Sequence, residues 1–457
     1  MSCDRDEESV SSDPGLGIIF STDTIAFDTL LSSSLSSTRR LSVFNPNKSA
    51  IRFSNISLAL GRSSDYSVII NGREATSVSN EVLFGGDSLL ILVAININPR
   101  NEDDPYMVKD SIVFEWNSNA EHVKLLAYGQ DTRNLKNESL CDVVWDNSRP
   151  YTVDGTVVVE VGCTLTIEKG TNVFFNNDAL LLVQGNIMAI GDSSNNIVFT
   201  SSRFDSGFDL VPGQWDGIIL TEESNSAFSF CTIENSEIGL GAGYTVRENR
   251  EENRIELVPG PISNTLQTEL KMSNMRIKNC SLAGVLAFNS LVQSTNALIY
   301  NCGQFLFAGL AGGNYQLYHN TLSNDPSSFV LESPSVQFAD NTIIDGDVLT
   351  DELILNIKNS IIWGPSNEEL LINNGGESSL FLMLNSNIIR SSKEIENNFT
   401  SLEVNFPGFK NRFLFDYSLD TLSFAKDKGE VLEVSVDITG APRDIYPDIG
   451  AFERIEN

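Results

Sequence analysis

Histidine is the scarcest chemically active residue in this sequence, since the 457 residues include only His122 and His319. Six cysteines are present, but no two are spaced as a CxxC pair. Zinc sites and thioredoxin-like motifs depend on such pairs or on clustered histidines, so neither is expected. The sequence therefore offers little for catalysis through histidine or for metal binding through nitrogen and sulfur.

Basic residues are also scarce. Lysine and arginine number 30 against 61 acidic residues, which gives a formal net charge of −31. Such a surface repels phosphates, so nucleic acid is not expected as a partner. No run of about 18 apolar residues occurs, so no membrane-spanning helix is expected. A signal peptide is not recognisable either, so for an exported protein we expect the numbering to start after most of the signal.

Long stretches rich in Ala, Glu and Lys are missing as well, whereas Ser, Asn, Thr, Val and Ile dominate. This composition favours strands over helices. The length is too great for one hydrophobic core, so two or three domains are expected. We therefore predict an all-β protein of more than one domain.

Residues 16–131 alternate between apolar and polar positions in short runs such as "TIAFDTLL", "AIRFSNISLAL" and "SIVFEWN". Turn signals such as Asn45-Pro46-Asn47 and Asn71-Gly72 separate these runs. About seven strands in this length predict an immunoglobulin-like β-sandwich. No polar residues cluster there in a catalytic pattern, and we interpret His122 as structural.

Residues 132–410 contain a recurring phrase, as in "CTIENSEIG", "MRIKNCSLAG" and "ALIYNCGQFL". A period near 20 residues without a helical pattern is typical of a parallel β-helix, with on the order of a dozen coils here. The first interval spans about two units and contains the polar stretch 245–256, which we interpret as an inserted loop.

Each repeat carries an asparagine at a tight turn, where this residue tolerates the left-handed conformation. Stacked turns would let each side-chain amide bond to the next coil, forming a structural ladder. The asparagines assigned to this ladder are Asn235, Asn279, Asn301, Asn320, Asn341, Asn359 and Asn387.

The cysteines suggest two arrangements. Cys141 and Cys163 flank the first coil and are placed for a disulfide that staples the entrance of the domain. Cys280 and Cys302 follow ladder asparagines in neighbouring coils. They are expected either to stack in the core as small apolar thiols or to form a bond with each other.

The β-helix region also holds candidates for a ligand site. The best acidic cluster is "IIDGDVLTDE", in which Asp345, Asp347 and Asp351 would form a Ca²⁺ site, the alternative being a solvated turn. Hydrolysis of a glycan needs two or three converging carboxylates, and no Asp-Asp pair lies in this region. The tryptophans near turns would stack on sugars if exposed, or fill the turns if buried; they are Trp145, Trp215 and Trp363.

The phrases "FSTDTIAFDTLL", "VFNPNKSAIRFSNISLALG", "KDSIVFEWN", "VKLLAYGQD", "PGQWDGIIL" and "PDIGAFE" together resemble a group of Bacteroidota cell-surface proteins. These are right-handed parallel β-helix repeat lipoproteins. The resemblance covers the chain from about residue 16 to the end. It implies an immunoglobulin-like domain, then a right-handed β-helix, then a segment at 411–457 that closes the last coils.

The same resemblance gives a meaning to the first residues. "SC" looks like the end of a lipobox, with Cys3 as the lipidated residue. The acidic residues that follow resemble the signal for export to the outer face of the outer membrane; they are Asp4, Asp6, Glu7 and Glu8. Residues 1–15 would then be a charged tether, and the acyl chains would supply the anchoring, about 0.8 kcal/mol for each buried methylene.

Two functions follow as expectations. The first is a non-catalytic surface lipoprotein that acts as a rigid scaffold, as an accessory of an outer-membrane transport or assembly complex. The second is a carbohydrate-active or glycan-binding protein, because many polysaccharide lyases and glycosidases use this fold. Fold alone does not decide between them. No cofactor is expected, with Ca²⁺ as the alternative given above.

Overall fold

The computed structural model describes residues 9–32, 38–203, 207–208, 210–249, 254–260, 267–331, 333–344, 346–375, 378–403 and 405–454. The chain divides into two compact units, and the boundary falls between Thr132 and Arg133. Among the residues so described, no helix has the length and apolar character needed to cross a bilayer. The fold is all-β, as the sequence predicts, apart from short 3₁₀ turns at Gly61–Ser63 and Arg412–Leu414.

The first unit is a β-sandwich. Its strands are β1 (Val10–Ser11), β2 (Ile19–Phe20), β3 (Thr24–Leu31), β4 (Arg39–Phe44), β5 (Ala50–Leu58), β6 (Tyr66–Ile70), β7 (Arg73–Glu74), β8 (Ser77–Val78), β9 (Glu81–Leu83), β10 (Ser88–Ile95), β11 (Tyr106–Trp116) and β12 (Asn119–Gln130). One sheet has the order β1-β5-β11-β12-β3, with β8 and β9 also paired to β5, and the other has the order β2-β4-β10-β6-β7.

The sandwich follows from the alternation in its sequence. Strand β10 shows this directly, because Leu89, Ile91 and Val93 are buried whereas Leu90 between them is exposed. Side chains that alternate in this way form one apolar face per sheet, and the two faces enclose a common core. That core includes Trp116 and Phe114, both almost fully buried.

The second unit is a parallel β-helix, which confirms the prediction from the repeat. Its strands are β13 (Arg133–Lys136), β14 (Ser139–Leu140), β15 (Val143–Trp145), β16 (Tyr151–Asp154), β17 (Thr156–Val159), β18 (Thr164–Ile167), β19 (Asn172–Phe175), β20 (Leu180–Val183), β21 (Asn186–Ile190), β22 (Ile197–Ser201), β23 (Trp215–Thr221), β24 (Asn225–Ser229), β25 (Cys231–Glu234), β26 (Ser236–Asn249), β27 (Arg254–Pro259), β28 (Glu269–Ser273), β29 (Arg276–Lys278), β30 (Ala283–Phe288), β31 (Leu291–Thr295), β32 (Leu298–Tyr300), β33 (Phe305–Leu310), β34 (Gly313–Tyr318), β35 (Thr321–Ser323), β36 (Val336–Ala339), β37 (Asn341–Ile344), β38 (Asp347–Thr350), β39 (Leu353–Lys358), β40 (Ile361–Trp363), β41 (Leu370–Asn373), β42 (Leu380–Asn385), β43 (Ile388–Arg390), β44 (Phe399–Ser401), β45 (Phe409–Asn411) and β46 (Asp416–Leu419).

Three parallel sheets form the walls of the β-helix. Sheet 1 is β13-β16-β19-β22-β25-β29-β32-β35-β40-β43-β44, sheet 2 is β14-β17-β20-β23-β26-β30-β33-β36-β41, and sheet 3 is β15-β18-β21-β24-β28-β31-β34-β39-β42. The chain visits the sheets in the order 1, 2, 3 in each coil. Because the strands of these walls pair in parallel with strands of neighbouring coils, stability comes from stacking rather than from any coil alone.

The interior of the β-helix is built from columns of apolar side chains, one from each coil. One column on sheet 2 consists of Val157, Leu181, Ile218, Leu240, Val285, Phe307 and Val336, which are all in register and fully buried. Fully burying an aliphatic or aromatic side chain of this kind contributes roughly 1.5–3 kcal/mol. The short apolar runs of the sequence are therefore the inward-facing positions of successive coils.

The long interval in the repeat is a single enlarged coil, which corrects our count of two units. Strand β25 pairs directly with β29, and the side chain of Asn279 bonds to that of Asn235. The extra residues extend β26 and add β27, which pairs antiparallel with β26. The predicted insertion at 245–256 therefore forms the outer part of a β-hairpin at its described residues.

The C-terminal segment lies along the flank of the β-helix, whereas we expected it to close the last coils. Side chains at the turns between sheets 3 and 1 bond to its backbone over several coils, from Asn359 with Glu430 back to Asn274 with Asp437. Its Tyr417 packs against Tyr300 with ring centroids 5.2 Å apart. The segment therefore covers one side of sheet 1.

Candidate functional site

The asparagine ladder exists, but it is shorter than we expected. The Asn279 amide donates to Asn235 Oδ1 at 2.6 Å, and the Asn301 amide donates to Asn279 Oδ1 at 3.0 Å. All three residues have left-handed backbones, with φ between 53° and 66°. Their amides are bonded to one another, so these asparagines hold the turn between sheets 1 and 2 and are not a ligand site.

The other asparagines assigned to the ladder do not lie at the turn between sheets 1 and 2. Asn359 lies at the turn between sheets 3 and 1, in a column with Asn274, Asn296 and His319, all of which have positive φ. This column bonds to the C-terminal segment. Asn320 and Asn387 each follow a residue of that column and are fully buried, and Asn341 begins β37 in a hairpin. Both turns favour asparagine for the same conformational reason, so alignment of one sequence merged two columns.

The proposed acidic metal site is not assembled by the described residues. Asp347 is exposed in the hairpin β37–β38, and the Asp351 carboxylate accepts from the Asn289 amide at 3.1 Å. Asp345 lies outside the described residues. In the described part of the chain, the one group of metal-ligating side chains is Cys141, Asp142 and Cys163. Its two cysteines are joined as a disulfide.

Within the described part of the chain, the other cysteines and the tryptophans belong to the core. Cys231, Cys280 and Cys302 are free thiols and fully buried. Burial raises the pKa of Cys302 far above that of an exposed thiol, so it is unreactive. The three tryptophans near turns are each 1% exposed, and Trp215 stacks on Phe175 with centroids 3.9 Å apart. They fill the interior and are not available to a sugar.

Three carboxylates that sequence analysis missed lie at the beginning of sheet 2 strands. Asp178 lies two residues before the start of β20, Asp216 is in β23, and Glu237 is in β26. Asp216 and Glu237 occupy equivalent positions, between the register pairs Trp215–Ser236 and Gly217–Ile238. Burial raises the pKa of Asp216, and the negative charges of Glu237 and Asp178 raise it further. A raised pKa is the property that a carboxyl needs in order to act as a general acid.

The outer face of sheet 3 is the second candidate and the larger one. Three rows of its outward side chains are in register from strand to strand. The middle row is Lys271, Gln293, Gln316 and Asn356. One flanking row is Glu269, Leu291, Asn314 and Ile354, and the other is Ser273, Thr295, Tyr318 and Lys358. The intervening side chains are buried, which directs these rows outward. The face therefore presents amides that repeat at the strand spacing of about 4.8 Å.

Two amide oxygens on this face lack a partner. Within the described part of the chain, Oδ1 of Asn314 and Oδ1 of Asn356 are buried and accept no hydrogen bond. Buried acceptors are almost always bonded in proteins, so these two atoms are exceptions. The Asn356 amide donates to the Tyr318 hydroxyl at 2.7 Å. Burial raises the pKa of Tyr318, which leaves its hydroxyl protonated and able to donate.

A groove of about 170 Å³ lies within this face. It is lined by side chains of three consecutive coils, including Glu269, Lys271, Gln293, Asn314 and Gln316. Enclosed ligand pockets usually measure roughly 300–1,000 Å³, so this is an open surface feature. The carboxylate of Glu269 lies 3.9 Å from Lys271 Nζ, and it is the one acidic group in the lining. The groove can therefore bond to hydroxyl groups, but it lacks the second carboxylate that hydrolysis needs.

A larger concavity of about 280 Å³ lies on the C-terminal segment, between Asn405 and Asp420. Its cations are already paired, because Arg412 bonds to Asp325 and Lys410 Nζ lies 3.8 Å from Asp416. The Arg412 guanidinium also lies over the Phe413 ring, 4.8 Å from its centroid. These contacts account for its charged groups, so this concavity is a weaker candidate.

The sequence alone did not predict either candidate site, because both depend on the register between coils. Gln293 and Gln316 read as ordinary outward positions of short strands, and only the pairing of β31 with β34 places them side by side. Asp216 and Glu237 are separated by a turn and lie in different repeat phrases. The position of each residue relative to its turn, compared between repeats, is the sequence signal that predicts which residues become neighbours.

Comparison with known proteins gives one informative match. The family described as "Pectate-lyase like beta helix domain" matches residues 136–249, from the end of β13 to the end of β26. This stretch contains Asp178, Asp216 and Glu237 and the first strands of sheet 3. No curated protein matches the chain. The family match supports a parallel β-helix of the pectate-lyase type over these coils.

Similar solved structures are more distant. They include the VesB protease of Vibrio cholerae (11% identity, 24% of this chain, 31% of that protein, TM-score 0.18). They also include a family 123 glycoside hydrolase from Clostridium perfringens (9% identity, 28% of this chain, 31% of that protein, TM-score 0.19). A third is the secreted serine protease VesC of Vibrio cholerae (22% identity, 26% of this chain, 24% of that protein, TM-score 0.18). The chain spans less than a third of the length of each. Scores of this size do not indicate a shared overall fold.

Proposed function

We propose that this chain is a non-catalytic binding protein whose β-helix holds an extended, neutral glycan along sheet 3. The observation that carries this proposal is the outward row of amides at Gln293, Gln316 and Asn356. An amide offers both donors and acceptors, as does a sugar hydroxyl. A polymer running across the strands would meet an equivalent amide on each coil.

The charge distribution favours a neutral ligand. The chain has a net charge of −31, so an acidic polysaccharide would be repelled at long range. The groove itself contains one cation and one anion, Lys271 and Glu269, which lie close enough to offset each other. A neutral polymer of hydroxyl groups avoids the repulsion and uses the amides, so we expect neutral glycans to bind more tightly than pectate-like ones.

Calorimetric titration of soluble polysaccharides tests this proposal. The double variant Gln293→Ala/Gln316→Ala should weaken binding by about 10- to 100-fold, since each lost hydrogen bond contributes roughly 0.5–1.5 kcal/mol. A matched control removes two other exposed amides, in Gln304→Ala/Asn373→Ala, and should leave the affinity unchanged. The proposal fails if no neutral glycan binds the wild type, or if the two double variants behave alike.

The acidic residues of sheet 2 support a second candidate function, the hydrolysis of a glycan. Asp216 and Glu237 occupy neighbouring positions on adjacent strands, and glycan hydrolysis needs two carboxyls close to one another. These residues also lie in the stretch that matches the pectate-lyase-like family. Incubation with polysaccharides and analysis of reducing ends decides the matter. Products that form with wild type but not with Asp216→Asn would replace the non-catalytic proposal.

The proposed location is the outer face of the outer membrane, with Cys3 as the lipid anchor. Its support is the resemblance of the first residues to a lipobox and an acidic export signal; both lie outside the described residues. A Cys3→Ser variant expressed with a complete signal should move to soluble fractions and lose acyl mass. Retention of that variant in the outer membrane would contradict the anchor.

An accessory role in an outer-membrane transport or assembly complex completes the proposal. It is supported by the resemblance of the sequence to Bacteroidota surface lipoproteins. Purification in mild detergent, followed by mass spectrometry, should recover a stable outer-membrane partner. Recovery of the chain with bound glycan and without such a protein would favour glycan binding alone.

A further inference from the structure

The middle row of sheet 3 has a defined length. Past Lys271 the same position is occupied by Ala227 on β24 and then by Met188 on β21. Past Asn356 it is occupied by Met383 on β42, which is 47% exposed. Alanine and methionine carry no amide, hydroxyl or charged group. The hydrogen-bonding positions of the middle row therefore cover four successive strands and stop at both ends.

The four positions line up across the strands. Strands β28, β31, β34 and β39 pair in parallel and in continuous register. Neighbouring strands lie about 4.8 Å apart, so the row from Lys271 to Asn356 is roughly 14 Å long. A ligand that follows this row must offer hydrogen-bonding groups at the same regular interval.

Polar side chains also lie on both sides of the middle row. On β34, Asn314 lies on one side of Gln316 and Tyr318 lies on the other, and all three are outward positions. On β31, Thr295 lies beside Tyr318 in the same flanking row. A ligand on Gln316 can therefore meet amide and hydroxyl groups at both of its edges.

The shape of the row selects among glycans. Equatorial linkages, as in β-1,4-linked glucose, give an extended chain in which each ring advances by about one strand spacing and successive rings turn opposite edges to the same side. Axial linkages, as in α-1,4-linked glucose, turn the chain at each ring, so its hydroxyl groups leave a line of this length. An extended chain already has the shape that the row requires, so it loses less conformational freedom on binding.

We infer, building on the glycan-binding role proposed above, that sheet 3 binds an extended, equatorially linked segment with one sugar residue for each strand of the middle row, from β28 to β39. Rings beyond this segment would lie over Ala227 or Met383. Their hydroxyl groups would lose hydrogen bonds to water there without gaining one from a side chain of the row. Chains longer than a tetrasaccharide should therefore gain little affinity.

Titration with oligosaccharides of defined length and linkage tests this inference on the full chain. The probes are β-1,4-linked oligosaccharides of glucose, mannose and xylose with two to six residues, and the matched control is the α-1,4-linked glucose series. For a β-linked series that binds, the association constant should rise about 3- to 10-fold with each residue up to four and then level off. The α-linked tetramer should bind about 10-fold more weakly or worse.

The outcomes separate this inference from the proposed function. Equal gains at the fifth and sixth residues, or α-linked chains that bind as tightly as β-linked ones, would overturn the inference and leave glycan binding intact. If none of these oligosaccharides and no neutral polysaccharide binds, both fail.

Lengthening the row tests the same inference from the side of the protein. Ala227→Gln adds an amide next to Lys271, so the pentamer should bind about 3- to 10-fold more tightly than it binds the wild type, with the tetramer unchanged. Thr166→Gln is the matched control, because this exposed position lies in the same line but is separated from the row by Met188 and Ala227. Lys271→Ala should move the plateau down to three residues. A plateau that stays at four in both Ala227→Gln and Lys271→Ala would overturn the inference.

Discussion

Single residues with left-handed backbones determine how successive coils are joined. At the turn between sheets 1 and 2, the asparagines bond to one another, as Asn279 does to Asn235. At the turn between sheets 3 and 1, the equivalent residues bond outward to the C-terminal segment, as Asn296 does to the Val436 carbonyl. Asparagine therefore joins successive coils at one turn and holds the C-terminal segment at the other.

Replacement of a ladder residue should destabilise the β-helix. Asn279→Leu removes the amide bonds to Asn235 and to the Leu210 carbonyl and places leucine at φ 58°. Left-handed strain costs about 1–2 kcal/mol, and each unsatisfied buried group about 1–3 kcal/mol. We expect a loss of about 3–5 kcal/mol in the urea unfolding of the β-helix. Asn279→Gly, which avoids the strain, should lose less, and equal losses would contradict this account.

His319 makes the docking of the C-terminal segment sensitive to acid. Its Nδ1 lies 3.1 Å from the Asp448 carbonyl and its Nε2 lies 3.0 Å from the Asn359 amide nitrogen. These partners require a neutral ring that donates from Nδ1 and accepts at Nε2. Burial, together with the positive charge of Arg443, lowers the pKa of His319 from 6.5 to about 3.

The resulting pH dependence has a definite sign. Below pH 6.5 the imidazole of His319 binds a proton in the unfolded chain but not in the folded chain. The contribution of His319 to the free energy of unfolding is therefore fully present above pH 6.5 and is lost as the pH decreases toward 3. The slope is about 1.4 kcal/mol for each pH unit. His319→Asn, which suits the left-handed turn, should remove this contribution when unfolding free energies are compared with wild type from pH 7 to 4.5. His122→Gln is the control, and an unchanged slope in His319→Asn would contradict the assignment.

Among the structural elements, the C-terminal segment is held by a buried ion pair. Arg443 Nη1 lies 2.9 Å from Glu453 Oε2, and each side chain is 2% exposed. Arg443 also donates to Asn296 Oδ1 and to the Gly450 carbonyl, which links the pair to the flank of the β-helix. The phrase "DIGAFE" therefore helps to hold the C-terminal segment against the β-helix.

Loss of that pair should release the segment. Glu453→Gln removes the carboxylate that bonds directly to a buried guanidinium, at a cost of about 3–5 kcal/mol. Limited proteolysis after residue 405 should then proceed on the order of 100-fold faster or more. Glu394→Gln, a change at an exposed position, should leave the cleavage rate unaltered. Equal rates for the two variants would show that the ion pair does not hold the segment.

The elements differ in how far sequence could predict them. Alternation and repeats predict the sandwich and the parallel β-helix because those signals are local. The path of the C-terminal segment depends on contacts such as Asn296 with Arg443, which are 147 residues apart, and no local pattern encodes them. The amide row on sheet 3 was missed for a similar reason, because unequal coil lengths conceal which outward residues become neighbours.

At the scale of the whole molecule, the net charge of −31 distinguishes neutral from acidic ligands. Binding of a neutral glycan to Gln293 and Gln316 should depend little on salt, since no ion pair forms.

The most direct test of the central claim is hydroxyl-radical footprinting of the full chain with and without a neutral polysaccharide that it binds. This measurement reports the solvent exposure of individual side chains. The account predicts that Leu291 and Tyr318, which flank the amide row, become protected, whereas Phe413 and Leu422 on the C-terminal segment keep their reactivity. Protection confined to the surroundings of Asp216, with Leu291 and Tyr318 unchanged, would contradict a glycan site on sheet 3.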